Sequence, residues 1–127
     1  MYRVEPRGGS PATRKDYLAH CVPLMTRRTM PADFFSRSMR NPDLADYFFG
    51  GELKTLDLLP GLSRVQCLTL VINGEDDLVT TINDAQEVAA AIPSGLVRFE
   101  GFPNAGHGVY RDQPEGFFKI LREFILS

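Results

Sequence analysis

The chain has 127 residues, of which 43% are hydrophobic and 24% are charged, and its formal net charge is −2 at pH 7. This length is enough for one domain, and the ordinary composition argues against a disordered chain and against a basic nucleic-acid-binding surface. The sequence contains no apolar run near the roughly 20 residues of a membrane span and no apolar signal segment at its start. We therefore expect a cytoplasmic protein without nucleic-acid or membrane partners.

The first half of the chain is predicted to form short helices with aromatic faces. Residues 1–12 are rich in Gly, Pro, Arg and Ser, which is typical of a flexible arm. One helix is expected from Thr13 and a second from Pro31. A third is expected between Asn41, a good N-cap, and Gly50, where glycines stop the pattern.

The two cysteines, Cys21 and Cys67, lie far apart in the sequence. Neither has another Cys or His near it at the spacing of metal ligands, so no metal site is predicted. We expect buried free thiols in a reducing compartment, and a disulfide between them stays an open alternative.

The second half of the chain is predicted as strand, helix, strand, helix. The continuous apolar run CLTLVING (67–74) is typical of a strand buried on both faces, as in parallel sheets. Helical spacing follows in NDAQEVAAAIPSG (83–95), alternation in LVRFEGF (96–102), and a helix opened by proline in PEGFFKILREFIL (114–126). This order predicts an α/β unit in which two parallel strands are joined by a helical crossover.

Each predicted strand is followed by a loop with reactive side chains. The first loop, NGEDDLVT, contains two aspartates, and the second, FPNAGHGVY, contains His107 between glycines. Because parallel strands joined by one crossover end at the same edge of a sheet, we expect a carboxylate and an imidazole to meet there. A carboxylate that binds one ring nitrogen fixes the tautomer and leaves the other nitrogen free to act as a general base.

The stretch TLVINGEDDLVT followed by FPNAGHGVYRDQPEGFFKILREFI resembles the C-terminal part of α/β-hydrolase fold enzymes. Such enzymes typically have a Gly-x-x-Asp motif after the penultimate core strand, a Gly-His-Gly-like motif after the last strand, and an Asp-x-Pro-Glu turn into the final helix. The resemblance implies that Asp77 is the acid and His107 the base of a catalytic triad. Asp76 is then interpreted as a solvated or capping carboxylate.

The same resemblance implies a division of the chain. A flexible arm (1–12) is expected to precede a helical cap-like region (13–52) and the C-terminal part of an α/β-hydrolase core (53–127). The fold class predicted is therefore α/β, with a cap remnant followed by strand-helix-strand-helix.

The sequence contains no Gly-x-Ser-x-Gly elbow, the strand-to-helix turn that presents the nucleophilic serine in these enzymes. We therefore expect the serine on a missing N-terminal segment, so that the N-terminal half of the same hydrolase is a partner. The chain would then supply the acid and histidine for hydrolysis of an ester, small amide or short peptide, with no cofactor. The alternative is a catalytically inactive truncated homologue that acts as a binding domain. A cofactor-binding α/β domain is disfavoured, since no Gly-x-Gly-x-x-Gly loop is present.

The stretch DYFFGGEL looks like the proline iminopeptidase branch of the family, whose members often use a cap carboxylate to hold the substrate's amino group. The usual Glu-Asn-His-Tyr-Phe run reads here as residues 44–48, LADYF, with leucine at the glutamate position. Asp46 or Glu52 would have to take its place.

Three aromatic residues are candidates for contact with a substrate. Phe48 and Phe49 lie in the cap-like region, where they could line a pocket, and Tyr110 follows the histidine loop. Packing inside the protein is the alternative for each of them.

Overall fold

A computed structural model of the chain describes residues 16, 19–29, 31, 33, 36–37, 39 and 41–127. The predicted arm (1–12) and most of the two helices expected from Thr13 and Pro31 lie outside the described residues. The division between a cap-like region and a core stays a prediction.

The helix predicted after Asn41 is confirmed as α1 (Pro42–Gly50). The side chain of Asn41 caps it by accepting the backbone N–H of Leu44 at 3.1 Å. Short 3₁₀ turns flank this region at Val22–Leu24, Glu52–Lys54 and Leu59–Arg64.

The two predicted strands form a parallel pair, β1 (Thr69–Gly74) and β2 (Val97–Phe102). In their register Thr69 lies opposite Val97 and Gly74 lies opposite Phe102. Both strands therefore end at the same level, and the loops that follow them emerge side by side.

The crossover between the strands is α2 (Ile82–Ala91). Its first turn is closed by a capping box in which Thr81 accepts the N–H of Asp84, while the Asp84 carboxylate accepts the N–H of Thr81. Such reciprocal caps satisfy two of the backbone donors that a helix N-terminus leaves unpaired. The start of α2, and hence the end of the first loop, is thereby held in place.

The chain continues from β2 into the short α3 (Val109–Asp112) and the final α4 (Pro114–Leu126). A small core lies beneath the loop between β2 and α3, where Phe102, Ala105 and Val109 are buried. Ile72, Phe117 and Ile120 pack against this cluster. The cluster joins the end of β2, the loop before His107 and the start of α3, so it supports the position of His107.

The cysteine prediction is wrong in one respect. Both thiols are free, but Cys21 and Cys67 are exposed rather than buried. Each lies in a short connecting segment, Cys21 before a 3₁₀ turn and Cys67 before β1, and such segments run over protein surfaces. None of the helices in the described part of the chain combines the length and apolar character that a membrane span needs.

Candidate active site

The loop after β1 is wound around the side chain of Asp77. Its carboxylate oxygen Oδ1 accepts the backbone N–H groups of Val79 at 2.8 Å and Thr80 at 3.1 Å. The amide of the buried Asn73 braces the same loop, donating to the carbonyl oxygens of Gly74 at 3.0 Å and Thr80 at 3.1 Å. Asp77 is therefore a buried carboxylate whose orientation is determined by the backbone around it.

The second oxygen of this carboxylate faces the imidazole of the neighbouring loop. Asp77 Oδ2 lies 2.9 Å from His107 Nδ1. The aspartate side chain is 2% exposed, whereas that of the histidine is 41% exposed. The structure thus brings together the two side chains that the sequence singled out, with the carboxylate inside and the ring open to the surface.

The charge state of Asp77 determines the tautomer of the ring. Burial alone favours the neutral acid, but the hydrogen bonds from Val79, His107 and Thr80 outweigh it and lower the pKa of Asp77 below its usual value. An ionised carboxylate can only accept, so the proton of a neutral His107 ring belongs on Nδ1. The lone pair on Nε2 is then available to take a proton.

Gly74, the first residue of the Gly-x-x-Asp motif, is required by the close approach of the two loops. A Cβ atom at this position would collide with the backbone carbonyl oxygens of Ala105 and Gly106. The loops are also joined directly, since Asp76 donates its backbone N–H to the carbonyl oxygen of Ala105 at 2.9 Å. The glycine thus allows the carboxylate and the imidazole to come within hydrogen-bonding distance.

A segment from the first half of the chain, Met25–Arg28, closes the other side of the histidine loop. The N–H of His107 donates to the carbonyl oxygen of Met25 at 2.6 Å. Sequence reasoning missed this contact, since it is made between backbone groups far apart in the chain and leaves no pattern in the residue types.

Asp112 ties the same segment to the histidine loop through its buried carboxylate. It accepts the N–H of Gly106 at 2.8 Å on one oxygen, and those of Arg27 at 2.9 Å and Arg28 at 3.1 Å on the other. Burial opposes its ionisation, but these three backbone donors lower the pKa of Asp112 below its usual value. The sequence had marked Asp112 only as part of the turn into the last helix.

The neighbouring carboxylate, Asp76, has a different partner. Its Oδ2 forms a partly exposed ion pair with the guanidinium of Arg27 at 2.7 Å. Asp77, and not Asp76, binds the imidazole, which agrees with the register that the motif predicted.

The structure gives less support to the three aromatic candidates for substrate contact than to Asp77 and His107. Tyr110 is 45% exposed, and its ring packs edge-on against Phe117 at 6.1 Å and lies 5.0 Å from the Arg111 guanidinium. Phe48 is half-buried on α1, and the side chain of Phe49 lies outside the described ones. Their contact with a substrate stays a prediction, and the edge-on contact of Tyr110 with Phe117 favours packing for that residue.

The candidate cap carboxylates are only partly described. Glu52 is exposed and accepts the hydroxyl of Tyr47 at 3.3 Å, and the side chain of Asp46 lies outside the described ones. Within the part of the chain that the structure describes, no cluster of three or more His, Cys, Asp or Glu side chains could hold a metal ion.

Comparison with solved structures shows that the chain has a known fold. The chain is similar to an esterase from Exiguobacterium antarcticum, with a TM-score of 0.75 and 23% identity over 91% of this chain and 44% of that one. An alpha/beta fold family hydrolase from Bacillus anthracis gives a TM-score of 0.72 and 15% identity over 91% and 42% of the two chains. A serine hydrolase involved in carbazole degradation gives 0.68 and 19% over 98% and 50%.

No protein-family model matches the sequence, and no curated protein matches it. The chain spans half the length or less of the three structures just named. Its parallel strand pair, crossover helix and C-terminal helix, together with these likenesses, show that the chain has the fold of the C-terminal part of an α/β-hydrolase.

Proposed function

We propose that the chain supplies the acid, Asp77, and the general base, His107, of a Ser-His-Asp triad that hydrolyses an ester, small amide or short peptide. The nucleophilic serine and the oxyanion-hole donors would lie on the N-terminal half of the same hydrolase, outside these 127 residues. The observation on which the proposal depends is the 2.9 Å contact between Asp77 Oδ2 and His107 Nδ1 at the ends of two parallel strands.

In this mechanism the imidazole transfers one proton in each half of the reaction. Nε2 of His107 removes the proton of the serine hydroxyl as its oxygen bonds to the substrate carbonyl carbon, and it then gives that proton to the departing alcohol or amine. In the second half, Nε2 removes a proton from a water molecule as the water oxygen bonds to the acyl carbon. It then gives that proton to the departing serine oxygen, which releases the acid and restores the serine hydroxyl. Asp77 holds the ring in the required tautomer and stabilises the imidazolium that forms between the two transfers.

The environment of the pair suits this role. The carboxylate is almost completely buried, which strengthens its interaction with a positive ring, and four donors keep it ionised. The ring itself is partly exposed, so a hydroxyl from another segment has room to approach it. The absence of a serine elbow from the sequence, and the half-length match to the solved structures, support a nucleophile supplied from elsewhere.

Esters are the first substrate class to test, since one of the similar structures is named as an esterase. The aminopeptidase variant needs a carboxylate near the bound amino group. Glu52 is exposed and accepts one hydrogen bond from Tyr47 on one oxygen, which leaves acceptor positions on its carboxylate for an amine. A panel of p-nitrophenyl esters and amino-acid p-nitroanilides separates the two substrate classes.

The test compares the chain alone with a joined form, in which the proposed N-terminal half of the hydrolase precedes the chain. We expect a fluorophosphonate probe, which labels activated serines, to label only the joined form, and His107→Ala to abolish that labelling. Equal labelling in the His107→Ala variant would contradict the proposed role of the imidazole. A joined form that folds with a serine elbow but resists labelling would favour the alternative, an inactive domain that binds without turnover.

A further inference from the structure

Thr80 places a hydroxyl beside the hydrogen bond that joins the two members of the proposed dyad. Its Oγ1 lies 2.9 Å from Asp77 Oδ2 and 3.4 Å from His107 Nδ1. The oxygen it contacts is thus the same carboxylate oxygen that binds the imidazole.

The direction of these hydrogen bonds follows from the protons available. The ionised Asp77 can only accept, and the proton on Nδ1 of His107 points to the carboxylate. The hydroxyl of Thr80 has one proton, and Nδ1 has no free lone pair to receive it. That proton is therefore donated to Asp77 Oδ2, which then receives two donors.

The backbone of Thr80 is fixed independently of its hydroxyl. Its N–H donates to Asp77 Oδ1 at 3.1 Å, and its carbonyl oxygen accepts the Asn73 amide at 3.1 Å. The next residue, Thr81, is the N-cap of α2. These backbone contacts orient the Thr80 hydroxyl toward Asp77, and they would remain in a variant without the hydroxyl.

We propose that Thr80 is a positioning residue of the site, whose hydroxyl holds the Asp77 carboxylate with Oδ2 toward His107 and shares the negative charge of that oxygen. The catalytic consequence of this assignment rests on the proposed function, whereas its effect on the Asp77–His107 hydrogen bond does not. Without the hydroxyl, Oδ2 keeps the imidazole as its partner but loses the second donor that restrains it. The carboxylate can then rotate, and Nδ1–H is bound less firmly.

The isosteric variant Thr80→Val removes the hydroxyl and keeps the β-branched shape. Thr80→Ser restores a hydroxyl, and Thr69→Val is the matched control, because the Thr69 hydroxyl donates only to the carbonyl of Cys67 at 3.1 Å. The charged groups on the elements around the pair are unchanged in all three variants. They include Glu75, Asp76, Asp84, Arg27, Arg28, Arg111 and Asp112.

The first readout is the Nδ1–H proton of His107, observed by NMR in the protein itself. We expect Thr80→Val to speed its exchange with solvent about tenfold or more, the scale for a lost hydrogen bond to a charged group, and Thr80→Ser to restore it. The 13C titration of the Asp77 carboxyl should move to higher pH in Thr80→Val, since this hydroxyl is one of the donors that lower the pKa of Asp77. Thr69→Val should change neither.

The second readout is turnover by the joined enzyme. We expect Thr80→Val to lower kcat about tenfold with little change in KM, because the hydroxyl acts on the dyad and not on substrate binding. An unchanged Nδ1–H exchange rate in a folded Thr80→Val protein would overturn the inference about Thr80 while leaving the triad proposal intact. No turnover by the unsubstituted joined enzyme would overturn the triad proposal, and the NMR comparison would still test Thr80.

Discussion

The carbonyl oxygen of Met25 accepts the backbone N–H of His107 at 2.6 Å, which draws a segment from the first half of the chain against the histidine loop. This approach depends on the residue before the histidine. A Cβ atom on Gly106 would lie 2.5 Å from the same carbonyl oxygen, closer than real side chains come to backbone atoms. The glycine of the histidine motif is thus explained by packing against Met25.

We therefore predict that Gly106→Ala destabilises the protein by about 1–3 kcal/mol, since backbone atoms must move to admit the methyl group. The measurement is urea unfolding, followed by circular dichroism. Gly95→Ala is the control, because a Cβ atom there would meet nothing within 4 Å. Equal midpoints for the two variants would show that the Met25 contact is not tight in solution.

Asp112 should be the residue that holds the Met25–Arg28 segment in place. We predict that Asp112→Asn accelerates amide hydrogen exchange at Gly106, Arg27 and Arg28, because an amide side chain cannot accept all three of their N–H groups. Asp84→Asn is the control. It removes an exposed carboxylate that also accepts a backbone N–H, and it should speed hydrogen exchange at Thr81 alone. Uniformly faster amide exchange across the chain in Asp112→Asn would show that the variant is destabilised globally, and that Asp112 does not act on the Met25–Arg28 segment alone.

Much of the site could be predicted from sequence because its elements are local. The apolar run before Gly74 identifies β1. The Asn41 cap and Pro114 in the first helical turn mark helix starts, and parallel pairing requires the loops with Asp77 and His107 to meet. These patterns depend on neighbouring residues or on one crossover, so their physical signal survives in a single sequence.

The rest could not be predicted because it depends on contacts between distant segments. The carboxylate of Asp112 binds backbone N–H groups of Arg27 and Arg28, and every residue except proline has such a group. Thr80 is equally inconspicuous in the sequence. Its role emerges only when Asp77 and His107 are both placed, although its position three residues after the acid could have drawn attention to it.

The pH dependence of stability should reflect the two buried carboxylates. Burial opposes ionisation of Asp77 and Asp112, but their backbone and side-chain donors prevail, so both pKa values are lower in the folded protein than in the unfolded chain. Their stabilisation is complete above the unfolded carboxyl pKa of about 4, and it is lost as pH falls through the lowered folded values. We predict that the urea midpoint falls steeply below about pH 4, and less steeply in Asp112→Asn. Identical slopes would show that Asp112 is not linked to folding.

The two adjacent aspartates offer the sharpest test of the dyad in the joined enzyme. Asp77→Asn places an amide opposite His107 Nδ1, and if its NH₂ group donates there, the ring proton moves to Nε2, the nitrogen that must accept the serine proton. We predict a loss in kcat of about 10⁴-fold, the scale for a triad whose tautomer is wrong. Asp76→Asn removes the same charge one residue away but breaks only a partly exposed ion pair with Arg27, so kcat should change by no more than a few-fold. Steady-state kinetics on a p-nitrophenyl ester measure both, and similar losses in the two variants would indicate that Asp77 acts through its charge alone and not through its contact with the imidazole.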